Sequence, residues 1–445
     1  MQKVLILTYY WPPSGGAGVQ RWLKFVKYLR EYNYEPVVYT ALNGEMPVID
    51  NSLQKDIPPN ITVLKTPIWE PYSIYKKFIG RKKEDKINAS FLNETKKTGF
   101  TQKISVWIRG NFFIPDARKY WVKPSINFLN DYILKNQIHY IISSGPPHSM
   151  HLIALGLKKQ NPKLKWIADF RDPWTNIDFY EKLMLTRWAD KKHHQQELSV
   201  IINADCVLSV GQTMSDEFEA MYNASKRSES TQHDVNKFKV ITNGYDDEDI
   251  KITQITKDEK FSIAHVGTLV KDRNPDVLWK VLSKMVKQNS DFEKQLQIKL
   301  VGKLDIYVKE QIELRGLSKY VYKIDYLPHD EVIFEQQKSH VLLLLVNNTK
   351  NAKGILTGKF FEYMLANVPV LAIGPEDGDL AKIMGETQVG LISNFDDELI
   401  LEKNILKLFN PDNYRDEKII RNETAIANYS RKNLTKNLAE ILNSL

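Results

Sequence analysis

Short apolar runs alternate along the chain with longer segments in which apolar residues recur every third or fourth position, a pattern that predicts an α/β protein built on parallel strands. Residues 4–7 read as a first strand, and Val19, Trp22, Leu23, Val26 and Leu29 as the buried stripe of a first helix. Further strands are predicted at 36–40, 61–64, 140–142, 165–168, 206–210 and 238–241 in the first half. In the second half they fall at 261–267, 296–301, 321–326, 341–346 and 369–373. Helices are predicted at 150–159, 358–367, 396–409 and 412–445, the last with a break near 429–431.

The most informative stretch is 341–374, VLLLLVNNTKNAKGILTGKFFEYMLANVPVLAIG, which reads as strand, loop, short helix and strand. Thr357 stands at the predicted N-cap and Pro369 just beyond the helix end. Helical spacing puts Phe360, Phe361, Met364 and Leu365 on one face, leaving Gly358, Lys359, Glu362 and Ala366 on the other. A loop carrying Gly354 and Gly358 into a helix N-terminus offers backbone N–H groups and a positive dipole end to an anion such as a diphosphate. Lys359 adds a cation, and the two oxygens of Glu362 suit a vicinal diol such as a ribose. The string GKFFEYMLANVPVLAIG resembles the donor-site segment of family 4 glycosyltransferases and their relatives. That resemblance implies α/β architecture with two Rossmann-like domains facing each other across a cleft, the GT-B type, and implies that Glu362 binds the nucleotide ribose. The family often has a second glutamate eight positions earlier, contacting the donor sugar; here that position is Gly354.

Length and composition agree with two domains, since 445 residues with 42% apolar and 26% charged content suit a globular chain too long for one ordinary core. A single cysteine, Cys206, lies in the apolar run CVLSV, which excludes an internal disulfide and fits a reducing compartment. The opening MQKVLILTYYWPP has too short an apolar run for a signal peptide or a membrane span, so a cytoplasmic location is expected. Lys and Arg total 62 against 54 Asp and Glu, a net charge of +8. Part of that excess is local. Residues 76–109 hold 10 basic and 3 acidic side chains, interleaved with Phe78, Phe91, Phe100 and Trp107 and followed by Phe112 and Phe113. This insertion, at about 70–120, reads as a lid, as an element docking on the cytoplasmic face of an anionic membrane, or as a solvated excursion.

Between the first strand and the first helix, TYYWPPSGGAGVQR carries Gly15, Gly16 and Gly18. Seven residues separate Leu7 from Gly15, and PVVYT ends without an acid, so the dinucleotide fingerprint is not met. The loop reads either as flexible chain or, by resemblance, as the glycine-rich loop facing donor phosphates and acceptor. Asp116 and Arg118 in IPDARKYWVKP join it as candidates on the acceptor and phosphate side. SSGPPHS and DFRDPW then follow two predicted strands, bringing His148, Asp169, Arg171, Asp172 and Trp174 to carboxyl ends, where open α/β sheets place ligands. Arg171 suits a phosphate or carboxylate, and His148 or Asp172 an acceptor hydroxyl. The alternative is an Asp-Arg pair bracing the loop over a packed Trp174. His193 and His194 read as solvated.

VITNGYDDEDI marks the expected exit from the first domain, with 246–260 as linker. The second domain opens with FSIAHVGTLVKDR. Where the family has a phosphate-binding Arg after the glycine and a Lys five residues later, this chain has Thr268 after Gly267 and Arg273 at the Lys position. Stabilisation of the leaving diphosphate therefore falls by resemblance to Arg273 and Lys359, while Gly302 and the backbone near Leu327 face the nucleotide base. The implied domains are 1–250 for the acceptor side, 251–428 for the donor, and 429–445 as a helix crossing back. The implied activity is a retaining glycosyltransferase of glycan or cell-surface polysaccharide biosynthesis. It takes a nucleotide diphosphate-sugar and a glycan or lipid-linked acceptor, without metal or other cofactor. An epimerase or hydrolase of the same fold is the nearer rival. A basic nucleic-acid-binding protein is the more distant one, with no recognition motif in its favour. Oligomeric state is left open.

Overall fold

A parallel strand covered on both faces needs unbroken apolar sequence, and in the computed structural model Val341–Leu345 and Val370–Ile373 have it. The structure describes all residues except 47, 72–99, 227–236, 250–254, 326, 328 and 411–419. In the first half, β1 (Gln2–Leu7), β2 (Tyr34–Ala41), β3 (Thr62–Thr66), β4 (Tyr140–Gly145), β5 (Lys165–Phe170), β6 (Cys206–Ser209) and β7 (Phe238–Val240) form one sheet in the order β3-β2-β1-β4-β5-β6-β7. In the second, β8 (Phe261–Val266), β9 (Leu296–Val301), β10 (Val321–Ile324), β11 (Val341–Leu345), β12 (Val370–Ile373) and β13 (Gly390–Ser393) form another, β10-β9-β8-β11-β12-β13. The strand pairs are parallel, in register from Val4 beside Tyr140 and from Val341 beside Ile263. Strand order reverses between β1 and β4 in one sheet and between β8 and β11 in the other, which opens a crevice at the carboxyl ends of each pair.

The chain divides into two compact units, Met1–Thr242 with Arg431–Leu445, and Asn243–Ser430. The helix Arg431–Ser444 belongs to the first unit because its apolar stripe, Leu434, Leu438 and Leu442, completes the cluster around Trp22, Leu23 and Val26. Tyr34 Oη donates to Asn443 Oδ1 at 2.8 Å, and Lys432 pairs with Glu31 at 2.7 Å. The crossing after Thr242 comes earlier than the acidic run 246–260 implied. Tyr245 is already part of the second unit: its N–H donates to the Tyr429 carbonyl and its hydroxyl to that of Ile426. A polar composition marked the linker, but one buried tyrosine fixes the start of the new core.

Two other expectations change. β4 and β5 extend through Ser143, Ser144 and Gly145 and through Asp169 and Phe170, so these residues are strand and not loop. His193 is buried rather than solvated, its Nδ1 accepting from Trp174 Nε1 at 3.0 Å, whereas His194 is exposed. Cys206 is buried as its apolar context implied, and burial pushes its thiol up to about 12. Of the basic insertion, residues 76–99 lie outside the described set, and Phe100–Phe112 is a helix. Among the described residues no helix is long and apolar enough to cross a membrane.

Candidate active site

The helix Gly358–Leu365 begins where the chain returns from the carboxyl end of β11, the central strand at the switch point of the second unit. Phe360, Phe361, Tyr363 and Met364 anchor it to the sheet. The Tyr363 hydroxyl accepts from the Val266 N–H at 3.1 Å, locking helix to strand next to Gly267. Leu365 is only partly covered and Ala366 is buried, the reverse of the predicted assignment, because the helix ends at Leu365 and Asn367 turns left-handed at φ 54°. Thr357 stands at the N-cap, but its hydroxyl makes no capping bond and is buried without a hydrogen-bond partner among the described residues. A side chain built at Gly358 would meet nothing within 4 Å, so the first turn opens onto free space.

The next residue, Lys359, sets its ammonium against the backbone of Gly267, close enough that a Cβ on Gly267 would overlap it. Gly267 has φ 113° and Gly302 φ 114°, both left-handed, and a Cβ on Gly302 would stand 2.9 Å from the Gly267 carbonyl. These two glycines let the ends of β8 and β9 close up beneath the lysine. Burial, reinforced by the Arg273 charge and opposed by the Glu362 carboxylate, holds Lys359 down to about 8. Arg273 is in the single turn Lys271–Arg273, and its Nε donates to Asn347 Oδ1 at 2.8 Å, just past the end of β11. Behind Arg273 a pocket of about 170 Å³ is bounded by Asp276, Leu345, Phe395 and Asp396. His265, buried one turn of strand back from Gly267, is held down to about 3 by burial and by Lys359, and is therefore neutral. Thr268 is exposed, Leu327 partly covered, and Gly354 ends the turn Ala352–Gly354. The arrangement places two cations, a helix N-terminus and one carboxylate around the carboxyl ends of β8 and β11, a set suited to a diphosphate and a diol.

At the first unit's switch point, Gly16 (φ 91°) precedes the helix Ala17–Leu29. The Gly15 N–H donates to the Val48 carbonyl, and the Gly18 carbonyl accepts from Arg171 Nη1 at 2.9 Å. Arg171 also donates to the Pro146 carbonyl, so it braces the glycine loop against the end of β4 instead of presenting a free guanidinium. Asp169 is paired not with Arg171 but with Arg21, at 2.8 Å and fully buried, and it further accepts from Trp22 Nε1 and Ser144 Oγ. Arg21 in turn donates to the carbonyls of Ile241 and Thr242.

Three candidates are committed to structure. Asp116 caps the helix Ser149–Gln160 by accepting from the N–H and hydroxyl of Ser149. Arg118 pairs with Glu70 at 2.9 Å and lies 4.4 Å over the Tyr9 ring. Trp174 is buried, stacked on His148 with ring centroids 4.5 Å apart. His148 is itself buried and kept neutral by burial, with the Arg171 charge nearby acting in the same direction. Asp172 alone of this group is exposed.

No family model matches the chain, and no curated protein does. Solved structures match end to end. A glycosyltransferase from Rickettsia africae aligns with a TM-score of 0.62 at 14% identity, covering 100% of this chain and 98% of its own. HepE from Anabaena, solved with UDP and glucose, aligns at 0.59 and 13%, covering 100% of both chains. The fold is GT-B. WaaG, a glycosyltransferase involved in lipopolysaccharide biosynthesis, shares it at 0.55 and 11%, covering 99% of this chain and 100% of its own. In a GT-B frame the second-unit cluster lies on a topological switch point, as ligand sites in open α/β sheets do.

Of the predicted donor residues, Gly267, Gly302, Arg273, Thr357, Gly358, Lys359 and Glu362 belong to this one region, Leu327 packs against the apolar cluster that anchors the helix, and Thr268 is exposed. Tyr363, Asn347 and His265 were not predicted. The signal available for Asn347 was a polar residue directly after an apolar strand, and for Tyr363 a tyrosine inside the buried stripe.

Proposed function

We propose that the protein is a retaining glycosyltransferase using a nucleotide diphosphate-sugar, with family 4 enzymes as its relatives. The observation that carries the reading is the pair of cations, Lys359 and Arg273, gathered at a helix N-terminus above Gly267. When the bond from the anomeric carbon to the phosphate oxygen breaks, its electron pair goes to the diphosphate. Lys359, Arg273 and the Gly358 end of the helix stand where that charge collects. The new bond forms from the acceptor oxygen on the same face, and the hydroxyl proton passes to the departing phosphate. Glu362 holds the ribose, and the free space beyond Gly358 receives the diphosphate. His148 is neutral and Asp172 exposed, both at the carboxyl edge of the first sheet, where they suit an acceptor hydroxyl. A lipid-linked acceptor is favoured, and the likeness to a lipopolysaccharide glycosyltransferase supports it. With two side-chain cations at the leaving group, turnover is expected to persist in EDTA.

The test is a thermal-shift screen of nucleoside diphosphates and their sugars. A ligand at a hundred times its dissociation constant stabilises by about 2.7 kcal/mol. Product analysis with and without acceptor then separates a transferase from an epimerase or hydrolase. Failure of every nucleoside diphosphate to shift the protein overturns the reading.

A further inference from the structure

The first unit carries an aromatic belt that its own core does not cover. Trp107 and Phe112, on the helix Phe100–Phe112, meet edge to face with centroids 5.7 Å apart. The Phe112 carbonyl accepts from Lys119 Nζ, and that ammonium lies over the rings of Phe113 and Tyr120, at 5.5 and 4.9 Å. Tyr120 in turn meets Trp69 at 5.2 Å. The belt is thus continuous, yet Trp107 is 40%, Phe112 58%, Tyr120 50% and Trp69 54% exposed. Four large rings left this open on one connected surface are far more than scattered apolar residues on a soluble protein.

Charge says what covers them. From Phe100 to Lys123 the chain has five basic residues and one acid, and that acid, Asp116, spends its oxygens capping the helix Ser149–Gln160. Lys103, Arg109 and Lys123 are exposed. Beside Trp69, Glu70 is taken up by Arg118, so the exposed charge near these Trp and Tyr rings is Lys and Arg, which matches the boundary between headgroups and acyl chains of an anionic bilayer, where the rings sit at headgroup depth and the cations meet phosphate. Apart from these, Trp188 is 63% exposed in the helix Arg187–Asn203, with Lys192 Nζ 4.9 Å from its ring. The two helices are joined through Asn111, which accepts from the Thr186 N–H at 2.7 Å and donates to the Met184 carbonyl at 3.2 Å.

We infer that this belt docks the first unit on an anionic lipid surface. The inner side of the helix Arg187–Asn203 gives the docking a purpose. His193 accepts from Trp174, Glu197 accepts from the Thr175 hydroxyl at 2.5 Å, and Trp174 stacks on His148. The acceptor-side residues therefore pack on the helix that Asn111 ties to the belt. A lipid-linked hydroxyl reaches them while its tail stays in the bilayer. The inference deepens the lipid-linked reading above and can fail separately from it.

The experiment is co-sedimentation of the full chain with vesicles of phosphatidylcholine alone and of phosphatidylcholine with phosphatidylglycerol, at low and high salt. Nucleotide-induced thermal shift is read on the same samples. Binding only to the anionic vesicles, weakened by salt, is expected. The exposed double reversal Lys103→Glu with Arg109→Glu lowers vesicle affinity by more than about 25-fold, at about fivefold for each cation neutralised. Trp69→Ser with Tyr120→Ser lowers it tenfold or more, and in both variants the nucleotide shift is unchanged. Equal binding to both vesicle types, no binding to either, or anionic binding untouched by both variants overturns the docking surface. A lost nucleotide response in the parent protein instead strikes the transferase reading.

Discussion

Glu362, Lys359 and Arg273 each lend themselves to a separate measurement. A carboxylate bonded to ribose hydroxyls contributes roughly 1.5–3 kcal/mol per hydrogen bond, so Glu362→Ala is expected to weaken nucleotide binding about ten- to hundredfold by calorimetry while the melting temperature of the free protein holds. Arg273→Ala and Lys359→Ala are expected to lower kcat by on the order of a hundredfold, more than they raise KM, because the charge they meet builds in the transition state. Lys359 allows a sharper check. Its ammonium is held down to about 8, so at pH 8.5 it is largely neutral in the free protein, and an arriving diphosphate restores the proton. Calorimetry in two buffers of different ionisation enthalpy then reads proton uptake on binding, and Lys359→Met abolishes it. Uptake fades below pH 7, where the lysine is already charged. Lys359 and Glu362 were legible in the sequence because helical spacing alone separates them from the buried stripe. Arg171 was not, because its partners are the carbonyls of Gly18 and Pro146, and a backbone oxygen leaves no trace in residue type. Nor was Arg21, which meets Asp169 across 148 positions of chain.

Strands and the helices behind them were legible wherever apolar period decided them, and less so where a buried polar residue is satisfied from afar. Asp169 closes β5 from inside the strand because Arg21, Trp22 and Ser144 satisfy its oxygens. Burial pushes its carboxyl up, and those partners push it further down, to below its ordinary value. The sign follows: with the folded value depressed, this stabilisation is complete above the ordinary carboxylate range near 3.9 and is lost as pH falls below it. Arg21→Met leaves the carboxylate buried without its cation and is expected to cost about 3–5 kcal/mol in urea unfolding. At the other switch point Gly267→Ala sets a Cβ at φ 113° against the Lys359 ammonium. The backbone strain alone is about 1–3 kcal/mol. The lysine must also move, so nucleotide affinity should fall with stability, whereas Gly358→Ala, whose Cβ meets no protein atom but enters the space assigned to the diphosphate, should lower affinity without lowering stability.

The two sheets follow from the strand-helix alternation, but their strand order does not, and the return of Arg431–Ser444 to the first unit was expected from the family resemblance alone, since nothing local says it. Its contribution is measurable. Leu438 is fully buried against the first helix, and Leu438→Ala is expected to cost about 2–5 kcal/mol, lowering a calorimetric transition that nucleotide does not move while the nucleotide-sensitive one keeps its midpoint. The same return matters while the protein is being made. Residues 1–242 leave the ribosome with Trp22, Leu23 and Val26 uncovered, and the helix that covers them follows only after 243–430 have been synthesised. At ordinary elongation rates that interval is about 10–40 s. Throughout it the nascent first unit leaves that apolar face open to solvent, a standing substrate for chaperones. A fragment ending at Thr242 should aggregate when expressed alone, and a synthetic peptide of residues 431–445 added during refolding should keep it in solution.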